Sequence, residues 1–333
     1  MSGRLLEVEN LSVWLPVEGK QRPILTDVSL SLDAGEALGI VGESGSGKSI
    51  TARSIARLLP MEAEVGGSVT FDGADVQALR STALRQFRWS VPIIFQDPRA
   101  HINPLRRIGD FMTEAVLARG DVARAGAWRR ASELLGDMGI SEPVRRLRQY
   151  PHELSGGMLQ RVMIASALMT DPRLILADEP TTALDVTTQA EVVAILDELR
   201  RERGVGLIFI THDLDLAAAI CERTAVFYAG EIVDVQASAT LHADPLHPYM
   251  AGLAAARPDI SSSASRLQVI PGNPVAAYEA PAGCRFAPRC PHMEERCRSG
   301  PIELQAMASG LSRCIRAEEL RQRAALRIGA AHD

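Results

Sequence analysis

The chain predicts an α/β fold built on a phosphate-binding loop, and three observations carry that prediction. Strand-like and helix-like apolar patterns alternate over residues 5–95 and again from Leu174 to about Val235. The run Gly42-Glu-Ser-Gly-Ser-Gly47-Lys48-Ser49 falls between an apolar stretch and a helical pattern. From about Pro98 to Met169 the pattern turns helical, as an inserted helical subdomain would.

Ala37 to Val41 supplies the strand before the loop, and Ile50 to Leu59 the helix whose N-terminus faces a bound anion. Gly42, Gly45 and Gly47 let consecutive backbone N–H groups turn inward, and Ser44 and Ile50 belong to the same cradle. Lys48 brings a point charge to the β and γ phosphates, and the Ser49 hydroxyl can ligate Mg²⁺. A Gly/Ser-rich turn without a ligand is the bland alternative. Lys and Ser directly after the last glycine, in a strand-loop-helix setting, favour nucleotide binding instead.

Further along come a strand near Val69 to Phe71, a helix through Leu79 to Phe87, and an apolar strand Val91 to Phe95. Ile108 to Ala118 and Ala127 to Met138 are the clearest helices of the insert. Leu154 precedes Ser155-Gly156-Gly157, which opens an amphipathic helix reaching about Met169 and so offers a second set of free N–H groups at a helix start. Alone, this would read as an ordinary N-cap. Leu174 to Ala177 is a continuous apolar run, as in a strand buried in a parallel sheet. It ends at Asp178, placed to hold Mg²⁺ through water, and at Glu179, placed to activate the attacking water as a general base. A long helix from Gln189 to Arg203 and a strand from Leu207 to Thr211 follow.

With these motifs in this order the chain resembles the ABC ATPase family, over almost its whole length. The resemblance implies an ABC-type P-loop NTPase core in which two subunits pair head to tail. Lys48, Ser49, Asp178 and Glu179 would then hold this subunit's own ATP, while Ser155, Gly156 and Gly157 contact the partner's. Gln96 is similar to the residue that touches Mg²⁺ and relays substrate status from the membrane subunits. Ala183-Leu184-Asp185 is similar to the loop that crosses the dimer interface, and His212 to the γ-phosphate switch. Met158 stands where the family's signature usually ends in Gln, a variant associated with peptide-permease members. The adenine-stacking aromatic of the first strand aligns with Leu15, beside Trp14, and which of them meets the base stays open.

The tail resembles one branch of the family. His247-Pro248-Tyr249, Pro271-Gly272-Asn273-Pro274 and Gly283-Cys284-Arg-Phe-Ala-Pro288-Arg289-Cys290-Pro291 are similar to the C-terminal extension of the oligopeptide and dipeptide permease ATPases. That implies an importer subunit for peptides, with nickel chelates, opines and glutathione as alternatives. Its implied partners are two transmembrane permeases and a second, related ATPase, with an extracytoplasmic binding protein acting indirectly. Residues 1–240 read as the ATPase domain, about 98–170 as its helical subdomain and 241–333 as the extension.

Four of the five cysteines, Cys284, Cys290, Cys297 and Cys314, lie in this tail, separated by five, six and sixteen residues. Clustered thiols in a reducing cytosol point first to metal. Structural zinc prefers closer pairs, and four thiolates at wider spacing suit a 4Fe-4S cluster held by a loop, as the resemblance also implies. Zinc and free thiols are the alternatives. Cys221 reads as core filler in a helix.

A chain of 333 residues with 46% hydrophobic residues can bury a sizeable core. No stretch approaches the ~20 apolar residues of a membrane span, and the N-terminus lacks a secretion-signal pattern. The expected location is therefore the cytoplasmic face of the inner membrane, held there by the permeases. The net charge of −5 argues against broad nucleic-acid binding, and Arg145-Arg146 with Arg148 reads as a solvated helix end. Ser261 to Ser265 reads as a flexible link. A soluble ABC ATPase of DNA repair or translation would share the core motifs, but it would carry coiled coils, zinc insertions or tandem cassettes absent from this sequence. A subunit that only binds ATP would have lost the base or the switch, and Glu179 and His212 are both present.

Overall fold

Parity changes partway along β1 (Arg4–Val17): Leu6 and Val8 are buried, and so are Leu11 and Val13. A bulge accounts for this. The register shifts between Val8 and Leu11, where Asn10 takes φ 50°, so both apolar sets face one core. With that device β1 and its antiparallel partner β2 (Lys20–Asp33) reach fourteen residues each, longer than the short strands the sequence suggested. The computed structural model describes residues 4–120, 122–182, 184–256 and 269–322. Ala183 and the Ser261 to Ser265 link lie outside these residues.

β3 (Ala37–Val41) is buried at all five positions and leads through the glycine loop into α1 (Lys48–Ile55). The helix stops four residues before the expected Leu59. Arg57 turns into left-handed backbone at φ 53°, and its guanidinium donates to the Val76 and Leu79 carbonyls (3.1 and 2.7 Å). β4 (Glu64–Phe71) and β5 (Ala74–Asp75) complete an antiparallel sheet in the order β2-β1-β4-β5. After α2 (Ser81–Ser90), β6 keeps only Ile93–Ile94 of the strand expected over 91–95. Pro92 has no N–H to donate, and the Phe95 N–H is turned to the Met163 sulfur (3.2 Å).

The helical insert comprises α3 (Pro98–His101), α4 (Ile108–Arg119), α5 (Arg124–Asp137), α6 (Pro143–Arg146) and α7 (Gly156–Leu168). Ile108, Met112, Leu134, Leu135, Val162 and Ile164 pack there in one core with the following αβ units. Those units are β7 (Leu174–Asp178), α8 (Val186–Arg203), β8 (Gly206–Ile210), α9 (Leu214–Ile220) and β9 (Arg223–Tyr228). β7 and β8 are buried throughout, as parallel strands covered on both faces must be. α8 begins three residues before the expected Gln189, because Asp185 caps it. Cys221 lies just past α9, buried in the core.

β10 (Glu231–Ala237) turns back on β9, and the chain continues through α10 (Pro248–Ala255), β11 (Gln305–Met307), β12 (Gly310–Ser312) and α11 (Ala317–Gln322). The main sheet has the order β11-β12-β10-β9-β3-β8-β7-β6, with β9, β3, β8, β7 and β6 parallel. The tail beyond residue 240 thus rejoins the sheet that holds the loop. Asp234 in β10 fastens it by accepting from the Leu246 and His247 N–H groups (2.9 and 3.0 Å). Among the described residues no helix is long and apolar enough to cross a membrane.

Candidate nucleotide-binding and hydrolysis site

Glycine is required at both ends of the loop. A Cβ on Gly42 would lie 2.3 Å from the Phe227 carbonyl oxygen, and Gly47 caps α1 with φ 105°. Gly45 has open space on its Cβ side, which leaves room for a ligand beside it. Lys48 Nζ folds back to donate to the Gly42 and Glu43 carbonyls (2.8 and 2.9 Å), keeping its charge over the loop. Burial pulls the Lys48 pKa down, against the carboxylates of Glu179, Asp178 and Glu43.

The parallel pairing of β8 with β3 on one side and β7 on the other carries Asp178 and Glu179 to the mouth of this loop. Ser49 Oγ donates to Asp178 Oδ1 at 2.7 Å, so two of the three expected Mg²⁺ contacts already touch. Burial raises the Asp178 pKa. The Ser49 hydrogen bond opposes that and the Glu179 charge adds to it. A hydroxyl, two neighbouring carboxylates and a buried cost of negative charge fit a hard cation with a polyphosphate. Glu179 sits at φ 49°, left-handed backbone that costs a non-glycine residue about 1–2 kcal/mol, held there as its N–H donates to the Ile210 carbonyl (3.0 Å).

Three side chains converge on Glu179 Oε2: Gln96 Nε2 at 3.1 Å, Thr182 Oγ1 at 3.0 Å and His212 Nδ1 at 3.7 Å. Gln96 reaches it from the residue after Phe95, whose ring stacks on His101 at 3.8 Å. His212 comes from the end of β8. Sequence reasoning expected Gln96, Glu179 and His212 and missed Thr182, whose signal was its place three residues after the base. Glu43 was missed too: Tyr249 and Arg289 meet it from 206 and 246 positions away, and local sequence carries no sign of that.

Ser155, Gly156 and Gly157 stand apart from this convergence. Ser155 Oγ accepts from the Met158 N–H (3.3 Å) as the N-cap of α7, and Gly157 faces Thr188 of α8. Asp185 accepts from the Thr188 N–H and hydroxyl (3.0 and 2.8 Å). The start of α7 therefore packs beside the first turn of α8, which Asp185 caps. Trp14 lies over Gly66 while Leu15 turns to the core, as neighbouring strand residues must.

In the tail, Cys284, Cys290, Cys297 and Cys314 line a single cavity with His247 and His292. Burial pushes the Cys284 thiol up to about 12 and Cys314 up to about 11, and raises Cys290. His247 Nδ1 accepts from the Tyr249 N–H (3.1 Å), so its proton sits on Nε2, which is buried without a partner. Among the described residues, however, no three His, Cys, Asp or Glu side chains group as one metal ion requires. The four expected cysteines thus border one cavity without forming an assembled metal centre. Arg145 lies at the solvated end of α6, where it pairs with Glu142 at 2.8 Å and both are well exposed.

The family model for ABC transporters matches residues 25–182, and that for the oligopeptide/dipeptide transporter C-terminal region matches 233–297. The oligopeptide transport ATP-binding protein OppD of Salmonella typhimurium is 42% identical over 95% of this chain and 94% of its own length. OppD of Escherichia coli is 41% identical over the same shares, and a probable peptide ABC transporter ATP-binding protein of Sinorhizobium fredii is 42% identical over 95% and 96%. Among solved structures, a dimeric ATP-binding cassette in a post-hydrolysis state with ADP and Pi superposes with TM-score 0.63 at 30% identity, covering 70% of this chain and 98% of that one. CbiO1 of Clostridium perfringens, part of the cbiONQ transporter complex, gives 0.60 at 26%, covering 71% and 89%.

Proposed function

This chain belongs to the ATP-binding proteins of ABC transporters, and we propose that it is the ATP-hydrolysing subunit of an importer that takes up oligopeptides or dipeptides. The observation that carries the reading is the convergence of Gln96, Thr182 and His212 on Glu179, beside the Ser49–Asp178 contact, in a chain with an oligopeptide-type tail. Nickel chelates, opines and glutathione are the alternative cargoes of the same importer class.

The loop amides from Gly42 to Ile50, with Ser44, Gly45 and Gly47, cradle the phosphates, and Lys48 swings from its carbonyl contacts to the β and γ groups. Ser49, Asp178 and Gln96 would hold Mg²⁺, which would supply charge neutralisation for phosphoryl transfer. Glu179 orients and deprotonates the attacking water while His212 contacts the γ-phosphate from the β8 end. Gln96 also links this centre to the helical insert through Phe95 and His101, so docking of a permease there alters the hold on Glu179.

A second copy or a related ATPase completes the site. Ser155, Gly156 and Gly157 at the start of α7 meet the partner's ATP, and Asp185 steadies the crossing loop. ATP-driven closure of this dimer changes the exposure of the path through two transmembrane permeases, and hydrolysis resets it. The chain acts on the cytoplasmic face of the membrane, and an extracytoplasmic binding protein delivers the solute. Residues 1–240 form the ATPase unit, with 98–170 as its helical subdomain, and 241–333 the extension. There Cys284, Cys290, Cys297 and Cys314 would hold a 4Fe-4S cluster, a role supported by the cavity that all four border.

Purification of the tagged chain from native membranes in mild detergent tests the importer. Two multispanning permeases and a second ATPase should co-purify. Recovery of ribosomal or DNA-repair partners, with no membrane protein, would overturn it.

A further inference from the structure

Glu43 is the second residue of the glycine loop, and it is held at three points. Its carbonyl accepts from Lys48 Nζ (2.9 Å) and from the Ser46 N–H (3.3 Å), its N–H donates to the Tyr249 hydroxyl (2.9 Å), and its carboxylate takes both Nη atoms of Arg289 (2.7 and 3.1 Å). Two of those three restraints come from the tail.

The Arg289 side chain is only 4% exposed. Its Nε donates to the Pro271 carbonyl (2.9 Å), and its guanidinium lies 5.8 and 6.0 Å from the ring centres of Tyr228 and Phe286. Tyr228, Tyr249 and Phe286 are themselves buried against one another, with ring centres 4.7 to 5.3 Å apart. The arginine is thus fixed before it reaches Glu43. A planar fork suits a bidentate carboxylate contact together with the aromatic faces, and a lysine ammonium could keep only one of those bonds.

The opposite end of the pair is soft by itself. Glu43 follows Gly42 and precedes Ser44-Gly45, backbone with many accessible conformations, and a loop that must be ordered on binding loses affinity for doing so. We propose that Arg289, supported by Tyr249, is a positioning residue that sets the phosphate-binding loop in its nucleotide-ready shape, so that the C-terminal extension governs how tightly this chain holds ATP. The proposal rests on the reading that the loop binds ATP. The rival is a tether, in which the pair anchors the tail to the core and the loop is indifferent to it.

The test uses the full chain in its purified complex, with ATP titration, steady-state hydrolysis and melting measured on each variant. Arg289→Gln and Glu43→Gln should each raise the KM for ATP about tenfold while kcat falls less than about threefold. The double variant should be no worse than either single one, since both remove one interaction. Arg289→Lys should recover part of the loss. An unchanged KM, or losses that multiply in the double variant, would overturn the proposal in favour of the tether. Should Arg289→Gln not fold, Tyr249→Phe, which keeps the ring and removes the hydroxyl, reads the same KM shift through the Glu43 amide. Lys48→Ala separates the two levels: retained ATP binding in that variant defeats the loop reading itself, whereas its loss beside a normal Arg289→Gln defeats only the positioning role.

Discussion

The nucleotide site and the cysteine cavity lie on one sheet and are built in opposite ways. At the loop, polar groups satisfy each other: Ser49 with Asp178, Gln96 and Thr182 with Glu179, Lys48 with two carbonyls. Each of these contacts can be exchanged for one to a phosphate, a water or a cation at little net cost, because one hydrogen bond replaces another. In the tail cavity, burial raises the Cys284, Cys290 and Cys314 thiols and leaves the His247 Nε2–H without a partner. Groups in that state are not poised for exchange. The difference separates a site made for turnover from a pocket made for a resident group or for none.

The largest expected effect tests the exchangeable side. In Glu179→Gln the amide still meets Gln96 and Thr182 but cannot take a proton, so kcat should fall on the order of 10² to 10⁴ fold with ATP affinity little changed. Steady-state hydrolysis and a nucleotide titration measure both, and undiminished turnover would remove Glu179 as the base.

The next effect sharpens the other side. Anaerobically purified protein should contain iron and acid-labile sulfide, lost together in Cys290→Ser. If no iron is found, the cavity is a pocket of protonated thiols. Cys284, pushed up to about 12, should then be alkylated at pH 8 on the order of a thousandfold more slowly than an exposed cysteine. Rapid alkylation of Cys284 would contradict its burial.

The smallest effect concerns the seam between the two regions. Burial pushes Asp234 up to about 8, against the two N–H groups it accepts, and takes His247 down to about 3. A raised carboxyl contributes stability that is present below the unfolded pKa and lost as pH rises through the folded one. A depressed imidazole contributes stability that is lost as pH falls from about 6.5. Between about pH 4 and 6.5 the two oppose each other, and above 6.5 Asp234 acts alone. Stability should therefore drop by about 2 kcal/mol from pH 6.5 to 8. Asp234→Asn should flatten the melting temperature over that interval, and an unchanged slope would assign the drop elsewhere.

Asp178 and Glu179 could be picked out in the sequence because they end an apolar run that must be a strand, and strand ends in a parallel sheet collect on one side; Gln96 and His212, also after apolar strands, were singled out by the family resemblance. The boundaries were less legible. Pro92 shortened β6, Arg57 ended α1, and Asp185 started α8 earlier, each through a side chain or missing donor that apolar periodicity does not register. The long β1 hid its bulge for the same reason, since one extra residue reverses which face is apolar.

By itself, the sequence determined the fold class, the loop, the residues proposed for hydrolysis and the branch of the family, because these reside in short motifs with defined local spacing. Only the tertiary structure decided that Tyr249 and Arg289 grip Glu43, that Thr182 joins the glutamate, and that four dispersed cysteines share one cavity without forming a site for a single ion. The grip on Glu43 and the shared cysteine cavity depend on β10 turning the chain back along β9. No local pattern encodes which distant segments a sheet edge will bring together.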